Sequence, residues 1–165
     1  MTLVTAAAGL SIPFGVEGVH VESAAQMHAA VNERFDACSM LICAAAVADY
    51  TPAHPADQKL SKADGELKHI ELIKTQDILA DMSARKGNRI VVGFAAETNH
   101  LAERAHAKLA RKGCDAIVAN DVSRADSTFG SDTNEVLWVR PTWRTPCHAW
   151  ANRPSHSNCS SAHRH

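Results

Sequence analysis

A chain of 165 residues, 45% of them apolar, is long enough to bury a full core without covalent staples. Its net charge of −1 excludes a broad electrostatic surface for nucleic acid or anionic membranes. No apolar run reaches the ~20 residues that a membrane-spanning helix needs. The apolar N-terminus has no basic flank and is broken by Gly9 and Pro13, so it lacks the pattern of a secretory signal. The cysteines Cys38, Cys43, Cys114, Cys147 and Cys159 are odd in number and form no CxxC pair. They read as reduced thiols in a cytoplasmic protein, with Cys43 and Cys114 as small buried side chains.

In chain order, Thr2 to Thr5 reads as a short strand and Ala6 to Gly18 as a loop holding Pro13 and three glycines. Val19 to Val21 reads as a second strand. Ser23 is a helix N-cap, with Met27, Val31 and Phe35 spaced along one face of a helix from Ala24 to Phe35. Ser39 to Ala48 is a continuous apolar run ending at Asp49-Tyr50, the pattern of a central, doubly covered parallel strand. Thr51 to Gly65 is a long Pro-interrupted loop carrying Lys59 and Lys62, a candidate lid. Leu67 to Leu72 reads as a weaker strand, Gln76 to Lys86 as a helix and Arg89 to Ala95 as a second buried strand. A helix from Asn99 to Lys112 stops at Gly113. Cys114 to Ala119 is a third buried strand and Glu135 to Val139 a last, edge strand. Strands alternating with helices predict a mostly parallel α/β sheet flanked by helices, of Rossmann-like architecture.

The chain divides at about residue 140. Pro141 to His165 holds three arginines, no acid, and no Leu, Ile or Val. Such a stretch cannot bury a core and is expected to be a disordered tail on a domain spanning residues 1–140. Its Cys147, His148, His156, Cys159, His163 and His165 are metal-capable types without the regular paired spacing of a zinc knuckle, so no metal ligand is assigned.

Three of the strands end in polar clusters: Asp49-Tyr50, Glu97-Thr98-Asn99 and Asn120-Asp121-Val122-Ser123. In a parallel sheet these lie along one edge, where ligands of open α/β folds bind. Taken singly, each cluster reads equally well as a cap or turn. Lys108 and Lys112 lie four apart on one helix face, and with the loop lysines they offer cations to an anionic ligand. A solvated helix face is the plainer reading of that pair. Gly93 within a strand implies close approach by a ligand or a helix, with Phe94 beside it as a ring for stacking or for the core. The glycine fingerprints of dinucleotide and P-loop sites are absent, as is a nucleophile elbow.

Several segments in register carry a family likeness. They are Ala44-Ala45-Ala46-Val47-Ala48-Asp49-Tyr50, Gln58-Lys59-Leu60-Ser61-Lys62, Thr75-Gln76-Asp77-Ile78-Leu79, Val92-Gly93-Phe94-Ala95-Ala96-Glu97-Thr98, Ala119-Asn120-Asp121-Val122-Ser123 and Phe129-Gly130-Ser131-Asp132-Thr133-Asn134. From Thr2 to Val139 their order and spacing resemble the phosphopantothenate–cysteine ligase module of bifunctional coenzyme A biosynthesis proteins. In those proteins the module follows a flavin-dependent decarboxylase half, and FMN belongs to that half.

The resemblance implies a two-step ligation. The carboxylate of 4′-phosphopantothenate attacks the α-phosphate of CTP to give an acyl-cytidylate, and the cysteine amine then attacks that anhydride. It implies Mg²⁺ and lysines against the phosphate charge. By motif, Lys59 is the lid lysine needed for turnover, and Asp49 and Ala46 sit at the nucleotide and intermediate site. Gln76, Asp77, Ile78, Leu79, Phe94, Lys108 and Lys112 match CTP-contacting positions. A homodimer is implied as well, with the decarboxylase half in a parent or neighbouring polypeptide.

Departures from the family pattern are also visible. Gln76 stands where proline is usual, and Ser61 where the lid has a second lysine. The family's first strand, its glycine-rich turn with an Asn-x-Ser-Ser-Gly-Lys-Met-Gly-type motif and the following helix are not represented, and the composition after Pro141 is that of a shifted reading frame. These departures predict a partial module with little activity of its own. The competing expectations are a ligase completed by another chain, a non-catalytic nucleotide-binding or interaction remnant, and a nicotinamide-binding domain, which the missing glycine fingerprint disfavours.

Overall fold

The computed structural model describes residues 1–56, 58, 68–123 and 136–141. Helix α1 (Ala24–Phe35) starts with a reciprocal cap: Ser23 Oγ accepts from Gln26 N, and Gln26 Oε1 accepts from Ser23 N, both at 3.2 Å. Helix α2 (Ile78–Ala84) is capped by Asp77, whose Oδ1 accepts from Ala80 N at 3.1 Å. Helix α3 (Leu101–Lys112) closes on Gly113 at φ 67, a left-handed turn that glycine adopts without strain, with its N–H on Leu109 O.

The strands are β1 (Thr2–Thr5), β2 (Glu17–His20), β3 (Met40–Cys43), β4 (Tyr50–Pro52), β5 (Leu72–Lys74), β6 (Ile90–Glu97), β7 (Ala116–Asp121) and β8 (Val136–Val139). The main sheet runs β3-β6-β7-β8. Its first three strands are parallel, and β8 is antiparallel to β7. β1 and β2 form a separate parallel pair, and β4 and β5 an antiparallel ribbon. This is the α/β, mostly parallel architecture that the sequence predicts.

Alternation along the strands divides the sheet into two faces. Val91, Ile117, Ala119 and Val139 join Phe35, Leu79, Met82 and Leu109 in one buried cluster under the helices, and Val4 and Val19 pack on its margin. Phe35 is almost fully buried, with the guanidinium groups of Arg85 and Arg89 at 5.1 and 5.2 Å from its ring centre. At the start of β6, Asp115 accepts from Lys86 Nζ at 2.6 Å and from Val91 N at 2.8 Å, which fixes the strand against β7. The opposite face carries Met40, Ile42, Ile90, Phe94 and Trp138, all exposed among the described residues.

Several sequence expectations are corrected. The run from Ser39 to Ala48 is not a long central strand: β3 holds only Met40–Cys43, and among the described residues it pairs only with β6. Met40 and Ile42 are 48% and 57% exposed, because nothing described covers their face. The first residues of the candidate lid are in a ribbon, Tyr50–Pro52 pairing with Leu72–Lys74, while most of its remainder falls outside the described residues. Helices α2 and α3 start at Ile78 and Leu101, two residues later than the periodicity suggests. β2 lies two residues earlier, at Glu17, and the weak strand begins at Leu72. Lys59, Lys62, the segment from Phe129 to Asn134 and the tail beyond Pro141 fall outside the described residues.

Gly93 shows why α2 sits where it does. A Cβ there would meet Leu79 Cδ2 at 2.5 Å and Ile117 Cδ1 at 2.9 Å. The close approach inferred for this glycine is therefore that of a helix. Gly93→Ala is expected to lower stability by about 1–3 kcal/mol through overpacking, measured by urea unfolding. Leu79→Ala in the same chain should return part of the Gly93→Ala loss, and additive losses would count against the steric account.

Candidate functional site

Parallel pairing between β3 and β6 ends at Cys43 opposite Gly93, whereas β6 and β7 stay paired to Glu97 opposite Asp121. β6 therefore runs on past the end of β3 with only β7 beside it among the described residues. The chain leaving β3 departs from the ladder at Ala44, so the β3 side of β6 beyond Gly93 has no strand partner among the described residues. Openings of this kind, beyond strand carboxyl ends, form the crevices in which α/β sheets hold ligands.

One wall is the segment leading to Asp49. Thr75 secures it: its N–H donates to Asp49 O at 3.0 Å and its hydroxyl to Ala48 O at 2.6 Å. Ala46 and Asp49 are both exposed on this wall, and no described residue bonds the Asp49 carboxylate. Thr75 was quoted in a motif, but sequence reasoning gave it no role. A threonine beside the start of a helix is usually taken for a cap, and only the folded geometry shows that it ties two loops together.

The other wall is cationic. Lys108 Nζ donates to the carbonyl of Phe94, the first β6 residue past the ladder with β3, at 2.6 Å. Lys112 Nζ pairs with Asp77 Oδ2. The cap of α2, strand β6 and one face of α3 thus bring Asp77, the Phe94 backbone, Lys108 and Lys112 together. Ile78 and Leu79 lie just below, buried in the core. Gln76 is exposed one residue before the cap. The Phe94 ring projects from the opposite face, beside Ile42 and Trp138, so only its carbonyl faces the lysines.

Charge is unevenly balanced there. Burial, with Lys112 next, holds the Lys108 ammonium below the ordinary lysine range. Burial opposes ionisation of Asp77, but the Lys112 ammonium and the Ala80 N–H outweigh it and hold that carboxyl below its usual range. Burial, followed by Cys114 and Asp77, pushes the Cys43 thiol up to about 11. At neutral pH Cys43 is therefore a protonated apolar wall and not a nucleophile.

The other strand-end clusters are structural. Asp121 Oδ1 accepts from Ser123 N and Ser123 Oγ at 3.0 and 2.6 Å, closing a turn. Glu97 pairs with Arg104 at 3.0 Å. Thr98 and Asn99 do not cap α3, whose N-cap position is His100 in a left-handed conformation. Lys59 lies outside the described residues. No three His, Cys, Asp or Glu side chains converge to hold a metal among the described residues.

Fold and site together define an open α/β domain with a lysine-lined crevice beside a released strand end. The family described as the DNA/pantothenate metabolism flavoprotein C-terminal domain matches residues 1–152, and the chain belongs to it. The bifunctional coenzyme A biosynthesis protein CoaBC of Bacillus subtilis is 44% identical over 135 residues, covering 81% of this chain and 33% of that protein. The CoaBC protein of Mycolicibacterium smegmatis is 41% identical over 138 residues, covering 78% and 33%. The chain thus spans about a third of the length of the curated relatives it matches. A crystal structure of the C-terminal domain of CoaBC superposes with a TM-score of 0.65 at 35% identity, covering 84% of this chain and 61% of that one. A Streptococcus pneumoniae DNA/pantothenate metabolism flavoprotein shares the fold, with a TM-score of 0.64 at 20% identity. The resemblance drawn from the motifs holds at the level of the family.

Lys108→Met separates anion binding from folding. Removing a half-buried charge removes a burial cost and one hydrogen bond together, so Tm should stay within about 3 °C. Affinity for inorganic tripolyphosphate, an anionic probe, should fall about tenfold by calorimetry. Because Lys108 sits below the ordinary lysine value, the parent protein should lose affinity as pH rises, before ordinary lysines discharge, and the Met variant should not show that limb. Unchanged affinity in the variant would remove Lys108 from the site.

Proposed function

We propose that this domain performs a CTP-dependent ligation of 4′-phosphopantothenate to cysteine, a step of coenzyme A biosynthesis. The observation that carries the reading is the convergence of Asp77, the Phe94 carbonyl, Lys108 and Lys112 from three separate elements at the released end of β3. Family membership and the names of the bifunctional relatives support the pathway.

The chemistry runs in two displacements. A carboxylate oxygen of 4′-phosphopantothenate bonds to the α-phosphorus of CTP, and the bond to pyrophosphate breaks. The amine nitrogen of cysteine then bonds to the acyl carbon, CMP leaves, and the nitrogen loses a proton. Lys108 and Lys112 hold phosphate oxygens, and their charge matters most as the leaving group gains its own. Lys59, by its motif, acts in turnover of the acyl-cytidylate and not in holding CTP. Asp49, fixed through Thr75, faces the intermediate together with Ala46.

A magnesium ion bound chiefly to the nucleotide phosphates needs only one or two protein carboxylates, and the unbonded, exposed Asp49 carboxylate fits that demand. When bound, the ion neutralises phosphate charge. The phosphate-holding lysines and the apolar, protonated Cys43 wall are this chain's own contribution.

Among the described residues β3 has an open edge next to Ala46 and Asp49, which supports a second part of the proposal: the 165 residues alone turn over slowly. The same edge and the exposed Met40 and Ile42 favour the alternative of a non-catalytic nucleotide-binding or interaction module. Homodimerisation and a decarboxylase half in the parent or a neighbouring polypeptide are proposed along with the ligase. None of the described helices is long and apolar enough to cross a membrane, and a cytoplasmic setting is proposed.

Pyrophosphate release measured with CTP, Mg²⁺, 4′-phosphopantothenate and cysteine tests this. Weak release that requires both CTP and 4′-phosphopantothenate is expected. Robust turnover would overturn the slow-turnover part, and CTP binding without any release would leave the alternative. In single-turnover experiments Lys59→Ala should lower product formation about tenfold with CTP affinity little changed.

A further inference from the structure

We propose that Asp77 is an internal counter-anion: its carboxylate occupies Lys112 in the ligand-free protein and is displaced by the phosphate oxygens of the ligand. This rests on the reading of the crevice as a polyphosphate site and adds a residue that sets how much charge a ligand must bring.

The two oxygens of Asp77 have separate tasks. Oδ1 accepts from Ala80 N and caps α2, while Oδ2 pairs with Lys112. Capping needs one oxygen and no charge, so Asn or Ser would serve the helix as well. The charge of Asp77 acts chiefly on Lys112, its direct partner, and only secondarily on the N-terminal dipole of α2.

Exposure sets the order of events. The Lys112 side chain is 16% exposed and that of Asp77 44%, so the lysine is the inner partner and the carboxylate lies toward solvent. An anion arriving from solvent meets Asp77 first. Releasing that carboxylate costs little, because it returns to water while its other oxygen keeps the cap. Among the described residues Lys108 is held by the Phe94 carbonyl, a neutral partner that a phosphate oxygen readily replaces. A singly charged anion gains nothing by replacing one carboxylate with another. A polyphosphate brings enough charge to take both lysines at once. The pair thus keeps two close ammonium groups compatible with folding and reserves them for highly charged ligands.

Calorimetric titrations with CTP and with inorganic tripolyphosphate test this on the parent chain, Asp77→Asn, Asp77→Ser and Asp81→Asn. Asn and Ser keep the cap without the charge, and thermal melting verifies that each variant folds; if one does not, the other is read. Asp81, also on α2, pairs with His28 at 3.0 Å and not with a lysine. It controls for the loss of one negative charge.

The expected result is about fivefold tighter binding of both probes on neutralising Asp77, with Asp81→Asn within about twofold of the parent. Unchanged or weaker binding in the Asp77 variants would overturn the proposal, as would an equal gain in Asp81→Asn. Absence of binding by either probe to any variant would overturn it together with the nucleotide reading. A gain for tripolyphosphate without CTP binding would support the counter-anion and sink CTP as the ligand.

Discussion

The site depends on where β3 lets go of β6. Ladder hydrogen bonds are strong local constraints, and a strand that keeps its neighbours on both sides leaves no opening. Here the β3 ladder stops at Cys43 opposite Gly93, while β7 accompanies β6 four residues further. That mismatch leaves one side of Phe94–Glu97 without a strand among the described residues. Lys108 reaches the Phe94 carbonyl there, and the Ala44–Asp49 segment can fold back against Thr75. A β3 extended to Ala48 would close the crevice and bury the groups that now line it.

Gly93 links this opening to the charges. Because it has no side chain, Leu79 can sit directly on the sheet beside Ile117, and α2 lies low enough for its cap to meet α3. The contact between Asp77 and Lys112 is thus a consequence of packing two elements away. Core and site share one cause, so a change of one methyl group in the strand propagates to the ion pair.

Much of this was legible in the sequence. Ser23, Gly113 and the period of Met27 and Phe35 placed α1 and the end of α3, because caps and amphipathic spacing act locally. The lysine pair and Gly93 stand out by residue type and spacing, and Asp77 by the family motif. β3 was misjudged because an apolar run reports only that burial is available. Whether both faces are covered depends on elements far away in the chain, and Met40 and Ile42 turn out exposed. Phe94 matches a nucleotide-contacting position by motif, and its ring reads from the sequence as suited to stacking or to the core. The pleat turns its ring to the opposite face and leaves only its carbonyl with the lysines, a distinction that one-dimensional spacing does not carry. Thr75 escaped notice for the opposite reason: its two bonds join positions 27 residues apart at the hydroxyl, a pairing no local pattern encodes.

Placing two lysines one helical turn apart, each partly buried, sets folding against binding. Burial first, and the neighbouring ammonium second, hold Lys108 below the ordinary lysine range, and Lys112 keeps a carboxylate. Surface lysines would cost the fold nothing, but water would screen them and their hold on phosphate would be weak. Fully buried lysines without a partner would discharge and bind no anion at all. Half-burial with a replaceable partner avoids both outcomes, because the partner can leave when a more highly charged anion arrives. The Phe94 carbonyl and the outer oxygen of Asp77 are replaceable in this sense, since one is neutral and the other faces solvent. The tension between stability and affinity is therefore resolved through what the lysines touch in the empty crevice, and the cap of a seven-residue helix supplies that contact.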